Sequence, residues 1–354
     1  MRVALIKIGA LGDVLRTTAL LPALRRLDRE LELTWISSRD ALPMLQHNQL
    51  VTRAVDYRTS QELEWRPIRY DWVISLDEEA DVCRLASRLQ SAKLSGAYED
   101  SGGAIRYTPD VDEWFGMGRL RRAENGGLAR ANQLKRANLH DYGEILYRAL
   151  RLPLPVARPT LVVPEDERAW AAEWLRSRGM RGRTLVSLNT GAGGRWRFKS
   201  WGVESTAKLA KQLAESFDAS VLVLGGIAEQ ERNAEIVACA DSAAVVAAPS
   251  DTSILSFAAL IGHTTVLVSS DSLAMHVGIA LERPVVAFFG PTSQTEINLF
   301  GRGEKVVTPL ECRCCYLSDC NVRPHCMQSI GVETIFAAVS RLLPGRAPVG
   351  NAAA

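Results

Sequence analysis

Three groups of residues in this chain have types and spacings suited to chemistry. The first is Asp271, Ser272 and His276, set between the apolar runs Thr265–Val268 and Pro284–Phe289. That layout reads as a strand end, a polar cluster opening a helix over Leu273–Leu281, and a second strand ending in Gly290-Pro291-Thr292. Ser272 is the expected N-cap, and His276 falls one turn later on about the same face. Unpaired N–H groups and partial positive charge at such a helix start suit a phosphate. A core histidine is the plain alternative for His276. The second group is Gly9-Ala10-Leu11-Gly12-Asp13, a tight loop after the apolar stretch Val3–Ile8. It puts Asp13 at the C-terminal end of a first strand, where open α/β sheets bind ligands. The third is Cys312, Cys315, Cys320 and Cys326, four thiols spaced C-x2-C-x4-C-x5-C. Such thiols can form a tetrahedral structural site for zinc or iron, or pack as small reduced hydrophobes.

Positioning these groups requires strands that end beside one another. Short apolar runs fall at Val3–Ile8, Leu33–Ile36, Trp72–Leu76 and Lys93–Ala97, then at Leu185–Leu188, Ser220–Leu224, Ala243–Val246, Thr265–Val268 and Pro284–Phe289. Helical patterns separate most of them, including Val14–Leu27, Val203–Ser216, Glu229–Ala240 and Leu255–Ile261. This alternation predicts an α/β protein with parallel sheets built from βαβ units. A proline-rich stretch, Leu152–Pro159, marks a boundary. The expected division is residues 1–155, then 156–343 carrying the Cys-rich segment 312–326, then a disordered tail 344–354.

Composition narrows the function. With 354 residues, two domains are expected, and a net charge of +2 gives no case for nucleic acid. No apolar run is long enough to span a bilayer. Lys7, Asp13 and Arg16 interrupt the N-terminal apolar stretch, so it does not read as a signal peptide. A cytoplasmic protein is expected. Stable disulfides are unusual there, although five of the seven cysteines lie between Cys312 and Cys326. The basic segment Arg119–Arg136 reads as a solvated loop or as a contact for an anionic acceptor or the inner-membrane surface.

Taken in order, Lys7 to Asp13, Leu188–Trp201, Gly225–Glu229, Ser270–His276 and Phe289–Thr292 resemble the landmarks of glycosyltransferase family 9, the bacterial heptosyltransferases. The resemblance implies the GT-B fold, two Rossmann-like domains with parallel sheets facing across a cleft. The first domain would bind the acceptor and the second the nucleotide sugar. It also implies inverting transfer of a heptose from ADP-L-glycero-D-manno-heptose to a hydroxyl of the lipopolysaccharide inner core, an anionic glycolipid. A protein or small-molecule acceptor, a nucleotide-sugar 2-epimerase, and a non-catalytic nucleotide-sugar-binding protein remain alternatives.

Carried over by position, Asp13 resembles the general base and Lys199 the lysine that holds the donor diphosphate. Lys7 and Gly12 belong to the first landmark. Thr190 and Gly191 belong to the small-residue loop that approaches phosphate, with Arg195 and Arg197 sharing the charge of Lys199. Gly225 and Glu229 resemble the ribose-binding turn. Asp271, Ser272 and His276 resemble the donor-contacting cluster. Leu273 stands where many members have glycine, so its side chain narrows that pocket. The chemistry implied needs no cofactor, and any zinc or iron at the cysteines would be structural.

Overall fold

Apolar runs too short for a buried helix become strands covered on both faces, as parallel sheets require. The computed structural model describes residues 1–59, 68–111, 126–180, 182–317 and 319–343. The chain divides into two compact units, Met1–Val162 and Val163–Ala354. The proline-rich stretch Leu152–Pro159 lies at the end of the first unit. It is stitched there by polar contacts: Ala157 N–H donates to the Tyr147 hydroxyl at 3.1 Å, and Thr160 N–H donates to Thr18 Oγ1 at 2.8 Å.

The first unit contains β1 (Arg2–Ile6), α1 (Leu11–Thr17), α2 (Leu21–Leu27), β2 (Glu32–Ser37), α3 (Leu42–Leu45), β3 (Arg53–Asp56) and β4 (Tyr70–Ser75). Next come α4 (Ala80–Arg88), β5 (Ser91–Glu99), β6 (Ile105–Tyr107), α5 (Gly127–Ala137) and α6 (Tyr142–Ala149). Its six strands lie in the order β3-β2-β1-β4-β5-β6. All neighbours are parallel except the β5–β6 pair. Ala4, Ile6, Ile36 and Val73 are fully buried in one core cluster, each larger side chain worth about 1.5–3 kcal/mol of burial.

The single helix expected over Val14–Leu27 is broken. A 3-10 turn at Thr18–Leu20 separates α1 from α2. Pro22 sits in the first turn of α2 and has no N–H to continue the ladder. Thr17 and Thr18 also turn their hydroxyls back to Asp13 O at 2.7 Å and Leu15 O at 2.6 Å, bonds that compete with helix geometry.

The second unit contains α7 (Glu165–Ser177), β7 (Leu185–Asn189), α8 (Val203–Phe217), β8 (Ser220–Leu224), α9 (Gln230–Ala240), β9 (Val245–Ala247) and α10 (Ile254–Gly262). It continues with β10 (Val266–Ser270), α11 (Leu273–Ala280), β11 (Val285–Phe289), β12 (Gly303–Val307) and α12 (Val332–Leu342). The sheet order is β12-β11-β10-β7-β8-β9, all parallel. Counted from its own first strand, this is the same 3-2-1-4-5-6 winding as the first unit. In that winding the connections leave strands one and four in opposite directions, opening a crevice at their C-terminal ends. The crevice lies between β1 and β4 in the first unit and between β7 and β10 in the second.

At the neighbouring end of β8, Gly225 is needed for close approach. A Cβ there would lie 2.7 Å from Asn233 Nδ2 and 2.8 Å from Glu229 Cβ. Gly225→Ala is therefore expected to destabilise the protein by about 1–3 kcal/mol through overpacking. Denaturant melts measure this, and an unchanged midpoint would mean the turn yields without cost.

Candidate active site

The crevice of the first unit is organised by a buried ion pair. Lys7 follows β1, and its ammonium donates to Asp77, which follows β4, and to Leu76 O at 3.4 Å. Both side chains are 6% exposed. Burial opposes the charge on Lys7, but the attraction of Asp77, with Tyr142 and Asp13 adding to it, wins and raises its pKa to about 12. The other Asp77 oxygen accepts from Ile8 N–H and from Gly9 N–H at 3.2 Å. One carboxylate thus fixes the whole β1–α1 turn.

Asp13 sits in the first turn of α1, whose N-cap is Ala10, so Asp13 is not the capping residue. Gly12 is the second residue of that helix. The Asp13 carboxylate is paired with Arg16 at 2.8 Å and its side chain is 36% exposed. Arg16 in turn lies 3.7 Å over the Tyr142 ring, and the Tyr142 hydroxyl bonds Thr17 Oγ1 at 2.8 Å. A half-exposed carboxylate held on a rigid helix start can accept a proton from a hydroxyl. Lys7 has its ammonium turned inward to Asp77, which makes it a scaffold for this loop.

In the second unit, β7 ends at Asn189. Its amide donates to Gly191 O at 2.7 Å and to Ser272 Oγ at 3.1 Å, joining the first and fourth strand ends. Lys199, at the end of the 3-10 turn Gly194–Lys199, donates to Asp271 Oδ2 at 2.8 Å and Asp271 O at 3.0 Å. Their side chains are 12% and 19% exposed. Burial works against ionised Asp271, but the charges of Lys199 and His276 and hydrogen bonding by Lys199 and Thr292 outweigh it, so the carboxyl is held below its ordinary range. His276 Nε2 is 3.9 Å from Asp271 Oδ1. The Thr292 hydroxyl, which helps keep Asp271 ionised, is buried without a hydrogen bond of full geometry.

Ser272 occupies the N-cap position of α11 but makes no side-chain cap. Its hydroxyl is taken by Asn189 and by Ser269 Oγ at 2.9 Å, which leaves the first N–H groups of α11 for another acceptor. Leu273, the first residue of that helix, is partly buried. Beside this cluster, the buried Thr190 hydroxyl bonds Asn233 Oδ1 at 2.6 Å and Leu224 O at 3.1 Å. Glu229 accepts from Gly226 N–H at 2.9 Å, and its carboxylate would lie 3.1 Å from a Cβ on Gly191. The loop after β7, with Thr190 and Gly191, therefore packs against the turn after β8, with Gly225 and Glu229. The side chains of Arg195 and Arg197, and the part of Arg119–Arg136 before residue 126, lie outside the described residues.

Sequence reading passed over Asp77, Arg16, Tyr142, Asn189 and Asn233. Asp77 and Asn189 had a usable signal, since each is a polar residue directly after a buried strand run. Tyr142 had none, because 125 residues separate it from Thr17.

The four cysteines share a neighbourhood without forming a ligand set. Burial, then the thiols of Cys315, Cys320 and Cys312, push the Cys326 thiol up to about 11. Cys326 is buried, whereas Cys312 is exposed. Among the described residues, no three His, Cys, Asp or Glu side chains are grouped to hold a metal ion. Cys326 packs inward beside Gly290, with the other three thiols near enough to act on it electrostatically. The described residues also contain no helix long and apolar enough to cross a membrane.

Two Rossmann-like sheets of this winding, with a polar crevice at each switch point, are the elements of the GT-B fold. Comparison with known proteins agrees. The profile of glycosyltransferase family 9 (heptosyltransferase) matches residues 128–324, and the chain belongs to that family. Lipopolysaccharide heptosyltransferase 2 of Escherichia coli is 31% identical over 44% of this chain and 44% of its own. Lipopolysaccharide heptosyltransferase 1 of Pseudomonas aeruginosa is 22% identical over 92% of this chain and 88% of its own. The solved structure of E. coli ADP-heptose lps heptosyltransferase II superposes with a TM-score of 0.67 at 19% identity, covering 97% of this chain and 98% of that one.

Three outcomes are expected. Lys7→Met leaves Asp77 as an uncompensated buried charge and should cost about 3–5 kcal/mol in urea melts; a loss within error would mean the pair is not stabilising. The depressed pKa of Asp271 contributes stability that is complete above pH 3.8 and lost as pH falls through its lower folded value. Asp271→Asn should therefore flatten the acid limb of the stability–pH curve, and an unchanged limb would contradict the assigned direction. Protein purified without added metal should carry zinc and iron well below stoichiometry by elemental analysis; a full equivalent would mean the thiols rearrange around a metal.

Proposed function

We propose that this chain is an inverting glycosyltransferase that moves a heptose from ADP-L-glycero-D-manno-heptose to a hydroxyl of the lipopolysaccharide inner core. The observation that carries this reading is the Lys199–Asp271 pair beside the uncapped N-terminus of α11. A cation next to free helix N–H groups is suited to a diphosphate that gains charge as it leaves. Asp271 keeps Lys199 placed and can orient sugar hydroxyls together with His276. Glu229, in the turn after β8, would hold the nucleoside ribose. Leu273 would line the sugar pocket.

In the proposed reaction, Asp13 takes the acceptor proton and the acceptor oxygen attacks the anomeric carbon from the face opposite the phosphate. The bond between that carbon and the phosphate oxygen breaks, and ADP departs with its electron pair. Lys199 and the α11 N–H groups stabilise the new charge. Arg16 keeps Asp13 in one rotamer, ready to accept the proton. The names of the relatives support heptose and lipopolysaccharide as donor sugar and acceptor. The exposed basic residues of α5, Arg130 and Arg136, suit an anionic glycolipid. The location proposed is cytoplasmic, with peripheral contact at the inner membrane.

A calorimetric panel of ADP-heptose, ADP-glucose, UDP-glucose, UDP-N-acetylglucosamine and GDP-mannose tests the donor. Selective binding of ADP-heptose is expected; selective binding of another member would remove heptose from the reading. Asp13→Asn should lower kcat by about 10²–10⁴ with donor affinity unchanged. Near-wild-type turnover in that variant would sink the assignment of the base, and a product with retained anomeric configuration would sink inversion.

A further inference from the structure

We propose that residues 312–317 and 319–330 of the Cys-rich segment are a positioning brace for the donor half-site, with Tyr316 and His325 as its positioning residues. This rests on the reading of Lys199 and Asp271 as the diphosphate-binding pair. The strands β11, β10 and β7 are adjacent. Asp271 follows β10, Thr292 follows β11, and Lys199 follows β7. The brace crosses these strand ends and fastens the two outer loops.

On the β11 side, Cys314 N–H donates to Gly290 O at 3.1 Å and Tyr316 N–H donates to Pro291 O at 2.8 Å. The Tyr316 hydroxyl accepts from Ser293 N–H at 3.2 Å and donates to Glu296 Oε1 at 2.8 Å. The residue between these anchors is Thr292, which faces Asp271. Cys314 and Tyr316 hold left-handed backbone, with φ of 60° and 54°. Side chains adopt that conformation only where the surroundings enforce it. Gly290 lets the brace sit close, since a Cβ there would lie 2.6 Å from Cys326 Sγ and 2.9 Å from Met327 Sδ.

On the β7 side, the Phe198 ring meets the His325 ring edge-on at 5.2 Å, and Trp201 Nε1–H donates to Ile330 O at 3.1 Å. Lys199 lies between these two attachments. The same segment thus sets both flanks of the pair that receives the diphosphate. Its hydrogen bonds and ring contact fall on residues flanking Lys199 and Thr292, so it acts by placing them.

The test uses the full-length chain and whichever of ADP and UDP the wild-type protein binds, with nucleotide affinity by calorimetry, KM for donor and acceptor separately, and melting temperature. Tyr316→Phe and His325→Ala should each weaken nucleotide binding and raise donor KM by about tenfold, the scale of a displaced contact. Acceptor KM should stay unchanged. His325→Phe, which keeps an aromatic edge for Phe198, should restore donor affinity. If both variants bind nucleotide like wild type while Lys199→Ala loses it, the brace is wrong and the diphosphate reading stands. If Lys199→Ala binds normally, or the wild type binds neither nucleotide, the diphosphate reading fails and takes the brace with it. An equal rise in acceptor KM would mark a general loss of structure and also overturn the proposal. If His325→Ala fails to fold, Tyr316→Phe, which removes a single oxygen, decides alone.

Discussion

A lysine–aspartate pair bridges the first and fourth strand ends of each sheet. In the first unit Lys7 reaches from β1 to Asp77 after β4; in the second Lys199 reaches from the loop after β7 to Asp271 after β10. The two sheets share one winding, which leaves a crevice between those strands. A crevice lined by backbone ends must be filled with polar groups, and a buried charge must be paired. The same constraint has produced the same kind of pair in both halves, with different consequences.

The difference lies in burial. Lys7 and Asp77 are sealed, and both oxygens of Asp77 are spent on Lys7 and the N–H groups of the β1–α1 turn. That pair builds a loop, and Asp13 is the side chain the loop presents. Lys199 and Asp271 retain partial exposure, lie beside uncapped N–H groups of α11, and have His276 and Thr292 as neighbours. The second pair can therefore exchange contacts with a ligand. Rigid scaffolding under a reactive side chain is what electrostatic preorganisation requires.

The cysteines gain a different meaning from packing than from spacing. Four thiols close in sequence invite a metal. In the fold, Cys326 turns inward against Gly290, and the residues among the cysteines, Tyr316 and His325, make contacts to the loops after β11 and β7. The segment matters through its backbone and its aromatic rings.

The residues alone determined the alternation of strands and helices, the two-unit plan and most central strands, because buried parallel strands must be continuous apolar runs. They did not mark β3, β6 or β12, whose polar, half-exposed edge positions carry no such run. They suggested a single helix through Pro22 and a capping role for Ser272; Pro22 and local hydroxyl-to-backbone bonds broke the helix, and a long-range bond from Asn189 occupied the Ser272 hydroxyl. The order of Asp13, Lys199, Glu229 and Asp271 along the chain was legible as a family pattern. That Asp77 fixes the Asp13 loop, that Asn189 joins two strand ends, and that Tyr142 supports Arg16 were decided only when distant strand ends were brought side by side. Local sequence carries propensity and burial, whereas long-range hydrogen bonds exist only once the sheet order has placed their partners together.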